Sequence, residues 1–296
     1  MIFDTEGRLR SGWRLGIFLV TFIFASAVTV SSGLALLNSI FEPRDAQSIA
    51  FFTNSLLMLI VALVIGWLCG KFLEGLPFRA LGAWFTRGWF RNLLVGLAVG
   101  SATVSLAVLI AVIFGGLGFD RNPVDGNSLA RSLAVSLAIF GAGAAFEEAL
   151  FRGYMLQTLS RSGLAWLGIT LTSGFFAIVH LGNPNATWIS TVDTIIAGIW
   201  FGIAYLKTRD LWFVFGLHLM WNWVLGAIFG IEVSGLTTLV AAPLLREIDA
   251  GPEWLTGGTY GIEGGIASTI ALVVSTAAIY FAPWPKASEE MVNRES

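Results

Sequence analysis

The reading of this chain turns on residues 129–159, LARSLAVSLAIFGAGAAFEEALFRGYMLQTL. A helix needs about 20 mostly apolar residues to cross the hydrocarbon layer of a bilayer. This run is longer than that, and its only charges are Arg131, Glu147, Glu148 and Arg152. A charge at the bilayer centre costs about 2.5–3.5 kcal/mol even on the mild insertion scale. Two adjacent carboxylates in one spanning helix therefore need a polar cavity or a partner.

The rest of the chain points to the same solvent. Of its 296 residues 56% are hydrophobic and only 12% charged, with mean hydropathy +0.78. Soluble domains carry about 25% charged residues, so too few are present here to build a water-exposed surface. Net charge is −2, which leaves no basic footprint for nucleic acid. Cys69 is the single cysteine and sits in an apolar run; it reads as a packing residue, with no intrachain disulfide and no thiolate metal site available. Trp13, Trp84, Trp89, Trp188, Trp212 and Trp284 flank apolar runs, as interfacial rings do.

Eight runs are expected to span: Leu15–Ile40, Ile49–Gly70, Phe90–Leu117, Leu129–Leu159, Leu164–Leu181, Ala186–Leu206, Leu211–Ile231 and Gly265–Ala282. Val233–Leu245 is too short to span and reads as interfacial or re-entrant. The first run imitates a signal peptide, but its apolar stretch continues to Leu37, as in a retained signal-anchor helix. The expected fold is an all-α polytopic transmembrane helix bundle. It forms one membrane domain over 1–296, with a catalytic core at 129–231 and an extracytoplasmic loop at 232–264.

Lys and Arg set the orientation. Arg8, Arg10, Arg14, Lys71, Arg79, Arg87, Arg91, Arg161, Lys207, Arg209, Lys286 and Arg294 fall on one side; Arg44, Arg121, Arg131 and Arg246 fall on the other. Both termini are thus expected in the cytoplasm, in an integral protein of the plasma membrane. Gly96/Gly100, Gly141/Ala145 and Gly198/Gly202 suggest close helix–helix approach.

The two histidines of the chain, His180 and His218, also lie in apolar helices, as does Asn222. Glu148 and Arg152 are four apart and can pair on one face, as can His218 and Asn222. Glu147 is rotated by about 100° from Glu148. At about 1.5 Å per residue from the Lys/Arg-rich end, Glu147, His180, His218 and Asn222 lie roughly 14–24 Å deep. Three helices therefore bring four polar groups to one depth, and the expectation is a polar cavity opening toward the cytoplasm.

Taken singly, a buried His, an i,i+4 ion pair or a membrane Asn is more often structural than chemical. As a set they suit water activation. Glu147 can take a proton from water and return it to a leaving amine. One His orients the carboxylate or the water, and the other His and Asn222 donate to an oxyanion. Alternatively His180, His218 and a carboxylate hold a divalent metal such as zinc. The residues leave both readings open.

The order Glu147-Glu148-x-x-x-Arg152, Phe176-x-x-x-His180, His218-x-x-x-Asn222 resembles the three-motif signature of the CPBP intramembrane proteases. That family covers type II CAAX prenyl endopeptidases and Abi-type proteins linked to bacteriocin processing or self-immunity. The resemblance implies a glutamate or metallo-endopeptidase acting on a peptide or membrane-protein substrate within the lipid bilayer. It further implies Glu147 as the base assisted by His180, an oxyanion site of His218 and Asn222, and support from Glu148 and Arg152. Two other classes compete with this reading: a proton-coupled membrane transporter, because buried Glu and His also relay protons, and a non-catalytic membrane scaffold or immunity protein.

Overall fold

The computed structural model describes residues 2, 3, 7, 9–40 and 46–283, and the side chains of these apart from 34–40, 46 and 47. Arg8, Arg44, Lys286, Arg294 and Trp284, used above for orientation and interface, lie outside the described residues.

The architecture is an all-α bundle of eight apolar helices among the described residues. They are α1 (Ser11–Ile40), α2 (Ala46–Glu74), α3 (Trp89–Ile113), α4 (Gly126–Arg161), α5 (Ala165–His180), α6 (Trp188–Thr208), α7 (Leu211–Phe229) and α8 (Ile266–Phe281). Six are long and apolar enough to cross a membrane; α5 and α8, at 16 residues each, fall short of a full crossing. Outward-facing Val20, Phe24, Ile60, Ile178 and Phe281 stay exposed, as expected where lipid is the solvent.

Successive helices run in opposite directions, so one end of the bundle collects the start of α1 and the ends of α2, α4, α6 and α8. Glu74 is shared there by Arg14 (2.9 Å) and Arg161 (3.1 Å), and Lys207 Nζ donates to the Tyr280 carbonyl (2.9 Å). An aromatic cluster of Phe85, Trp89 and Trp212 caps the same end. At the other end β1 (Leu117–Arg121) pairs antiparallel with β2 (Leu245–Asp249). Val233–Leu245, read from sequence as interfacial or re-entrant, forms no helix. It makes a tight turn at Val233–Leu236 and tucks Val233 and Leu239 inward.

Small residues set the closest helix contacts. A Cβ at Gly96 or Gly100 of α3 would overlap the carbonyl oxygens of Phe213 and Leu217 on α7, and one at Gly198 of α6 would lie 2.7 Å from Ser173 Cα on α5. Backbones can approach this far only where side chains are absent. Gly202 meets only the Ile169 side chain, at 3.2 Å. Gly141 has no neighbour within 4 Å of such a Cβ, so the contact expected at Gly141/Ala145 is not made: four-residue spacing does not say which face meets a helix.

The β1–β2 ribbon carries a pH-sensitive group. Burial, and then the charges of Glu232 and Asp249, push the Glu247 carboxyl up to about 8. The folded chain therefore keeps a proton that the unfolded chain releases near the ordinary carboxylate value. The stability this group contributes is fully present below that value and is lost as pH rises through about 8. In detergent, the melting temperature of the wild type should fall between pH 6 and pH 9, and by less in Glu247→Gln. Equal falls in the two proteins would remove Glu247 as the cause.

Candidate functional site

The site is built on α4 and α7, both of which change register within a turn of their polar residues. Asp125 starts α4 by accepting from the backbone N–H groups of Asn127 and Ser128, each at 3.0 Å. The α-helical hydrogen bonding holds to Glu148, gives way to a π-helical segment at Ala149–Met155, and resumes to Arg161. A second π-helical segment, Val224–Phe229, follows Asn222 by two residues in α7. Such widened turns are frequent at functional sites.

Glu148 and Arg152 sit behind the site. Their side chains are 2% and 0% exposed, and Arg152 Nη1 donates to Glu148 Oε1 at 3.1 Å. Arg152 Nη2 donates to the Gly198 carbonyl at 3.1 Å, fixing α4 to α6. The guanidinium lies 4.9 Å from the Phe201 ring centre and 5.1 Å from that of Phe176, so aromatic faces supply much of its solvation.

Glu148 also holds the site's histidine. His218 Nδ1 lies 2.7 Å from Glu148 Oε1, and the ring stacks on Phe201 at 4.6 Å between centres. With Nδ1–H given to Glu148, the tautomer and tilt of the ring are set, and Nε2 is the free nitrogen. It faces Glu147 Oε2 at 3.5 Å, beyond ordinary hydrogen-bond reach. The Glu147 side chain is 22% exposed where that of Glu148 is 2% exposed: of the two neighbouring carboxylates, one faces a cavity and the other is packed away. His180 is anchored by the other route, with Nδ1 2.6 Å from the Phe176 carbonyl of its own helix and its ring against Phe176.

Glu147, His180, His218 and Asn222 all line one cavity of about 270 Å³, walled in part by Phe51, Phe140 and Phe146. Glu148 and Arg152 do not line it. The four groups counted to one depth are thus brought together on one cavity. The cavity is also lined by Val233, Ser234, Leu236, Leu239 and Glu263, from the connection between α7 and α8. It therefore lies in the half of the bundle away from the helix ends joined through Glu74 and Lys207, so a cavity open to the cytoplasm and cytoplasmic termini do not go together. The depth count ran from the Lys/Arg-rich end, and His180, roughly 24 Å along it, is the last residue of α5.

Asp193, Glu263 and Ser268 also line the cavity, and none of them was singled out as a site residue in the sequence. Glu263 accepts from Trp221 Nε1 (2.7 Å) and from the backbone N–H and hydroxyl of Ser234, latching the connection onto α7. Asp193 interrupts an apolar run as Glu147 does, and that same signal was available. As for a metal, no group of three His, Cys, Asp or Glu side chains gathers in ligating geometry among the described residues. The three-ligand pattern of a hydrolytic zinc site is not met by His180 and His218 among the described residues.

A family model described as type II CAAX prenyl endopeptidase Rce1-like matches residues 129–224. An uncharacterized protein, YyaK of Bacillus subtilis (strain 168), is 24% identical over 147 residues, which span about half of each protein (49% of this chain, 46% of the relative). No solved structure matches the chain. The family match begins at the start of the stretch quoted first and ends just beyond Asn222, taking in all three motifs. Over residues 129–224 the chain is similar to the Rce1-like type II CAAX prenyl endopeptidases, in keeping with the CPBP group that its three motifs resemble.

Proposed function

We propose that the chain is an intramembrane endopeptidase that hydrolyses a peptide bond with water activated by Glu147. The observation that carries this reading is the division of labour between adjacent carboxylates: Glu148 is spent on Arg152 and His218, and Glu147 is left facing the cavity. Glu147 takes a proton from water as the water oxygen bonds to the substrate carbonyl carbon. The carbonyl oxygen becomes an oxyanion, stabilised by the Asn222 amide N–H and by Nε2–H of His218 in its imidazolium form, whose Nδ1–H stays on Glu148. Glu147 then gives its proton to the amide nitrogen as the C–N bond breaks. His180, held through Nδ1, keeps Nε2 for orienting the water.

The substrate in this reading is a peptide or a segment of a membrane protein, reached at the bundle end that carries the connection before α8. The charge asymmetry survives among the described residues, with nine Lys/Arg at the end of the Glu74 cluster (Arg10, Arg14, Lys71, Arg79, Arg87, Arg91, Arg161, Lys207, Arg209) against Arg121, Arg131 and Arg246. It favours cytoplasmic termini in a plasma membrane and an extracytoplasmic cavity, a placement that suits processing of, or immunity to, secreted peptides.

The test is cleavage of a fluorogenic peptide library by purified protein. His180→Ala should lose on the order of 100-fold in rate, and exhaustive chelation should leave the wild-type rate unchanged. Activity lost on chelation and restored by zinc would overturn the metal-free route. Proton flux in liposomes without cleavage would replace the peptidase by a carrier.

A further inference from the structure

We propose that the part of the cavity wall formed by α6, α8 and the connection between α7 and α8 is a specificity subsite for a primary ammonium group of the substrate. That group is a lysine side chain or a free N-terminal amine, recognised by Asp193, Ser268 and Glu263. The inference rests on the peptidase reading for what enters the cavity, and on the following observations for what the wall accepts.

Asp193 is 2% exposed, and one carboxylate oxygen accepts from Thr269 Oγ1 at 2.5 Å. The other, Oδ2, has no hydrogen-bond partner. Next to Thr269, Ser268 is 1% exposed and its hydroxyl is also unpartnered. Both residues line the cavity. A buried polar atom without a partner is costly, more so when charged, and a native chain that keeps two on one wall calls for an explanation. A ligand that brings N–H donors supplies one.

The chemistry of the wall selects the donor. An ammonium group has three N–H donors and no acceptor. The wall offers a free carboxylate oxygen, a hydroxyl oxygen and the carboxylate of Glu263. Among the described residues the cavity is lined by three carboxylates, Glu147, Asp193 and Glu263, and by no Lys or Arg. A cation entering from water is attracted into such a cleft, and a free C-terminal carboxylate is repelled. Reach is short: Asp193 is the sixth residue of α6, roughly 8 Å from its start at Trp188.

The test uses a set of peptides cleaved by the wild type, with lysine or norleucine at each position around the scissile bond and with a free or acetylated N-terminus. One lysine position, or the free terminus, should raise kcat/KM at least tenfold over its neutral counterpart, and which of the two does so identifies the source of the ammonium. That ratio should fall to within about twofold of unity in Asp193→Asn and decrease in Ser268→Ala, so that one variant suffices if the other does not fold. Wild-type ratios near unity throughout would overturn the subsite while leaving the peptidase standing. If no peptide is cleaved, the peptidase reading fails. The subsite is then judged by binding of the same fluorescent peptides to the wild type, where equal affinity for lysine and norleucine forms would overturn it.

Discussion

Glu147→Gln should reduce peptide cleavage about 1,000-fold in kcat with little change in KM. General-base catalysis contributes about 100- to 10,000-fold, and a 1,000-fold loss corresponds to about 4 kcal/mol of transition-state stabilisation. The substitution keeps size and shape and removes the negative charge and, with it, the capacity to carry a proton. Its structural cost should be small, because the side chain is 22% exposed and its neighbour, His218 Nε2, is 3.5 Å away. A melting temperature close to the wild type's, together with a lost kcat, is therefore the expected pair of results. Undiminished cleavage by Glu147→Gln would remove the proposed base, and a large fall in melting temperature would recast Glu147 as a structural residue. The pH–rate profile adds a check: the limb that reports the base should be absent from any residual activity of the variant.

The sequence made some of this legible for a clear reason. In apolar runs a polar residue is rare enough to stand out, so Glu147, His180, His218 and Asn222 could be singled out one by one, and helical rise alone brought them to one depth. The Glu148–Arg152 pair was also readable, because i,i+4 geometry is local. The bond from His218 Nδ1 to Glu148 was not: it joins residues 70 apart, and spacing within one helix says nothing about a partner on another. Its consequence is a change of emphasis, since His218 rather than His180 is the imidazole nearest to Glu147. The π-helical segments after Glu148 and Trp223 leave no periodic signal in so apolar a background. Depth measured from one end only did not say which half of the bundle holds the cavity.

Arg152 supports the second large prediction, which separates stability from chemistry. Arg152→Met should destabilise the protein by about 3–5 kcal/mol, the usual cost of removing one partner from a buried ion pair. Glu148 would be left 2% exposed with only His218 beside it, and the Gly198 carbonyl would lose its donor from Arg152. Replacing both partners with apolar side chains is often neutral or stabilising, so Arg152→Met with Glu148→Leu should recover much of the lost stability. Activity should not return with it. In the double variant His218 Nδ1 has no carboxylate to donate to, so neither the tautomer nor the tilt of the ring is fixed, and Nε2 no longer holds its place beside Glu147. A double variant that melts near the wild type yet cleaves at least 100-fold more slowly is the expected outcome, read by thermal unfolding and kcat on the same preparations. If stability and activity recover together, Glu148 and Arg152 are a strut and nothing more. If neither recovers, the pair is needed to form the α4–α6–α7 contact itself, and the role of Glu148 in holding His218 must be sought with the milder Glu148→Gln, which keeps an acceptor for the imidazole.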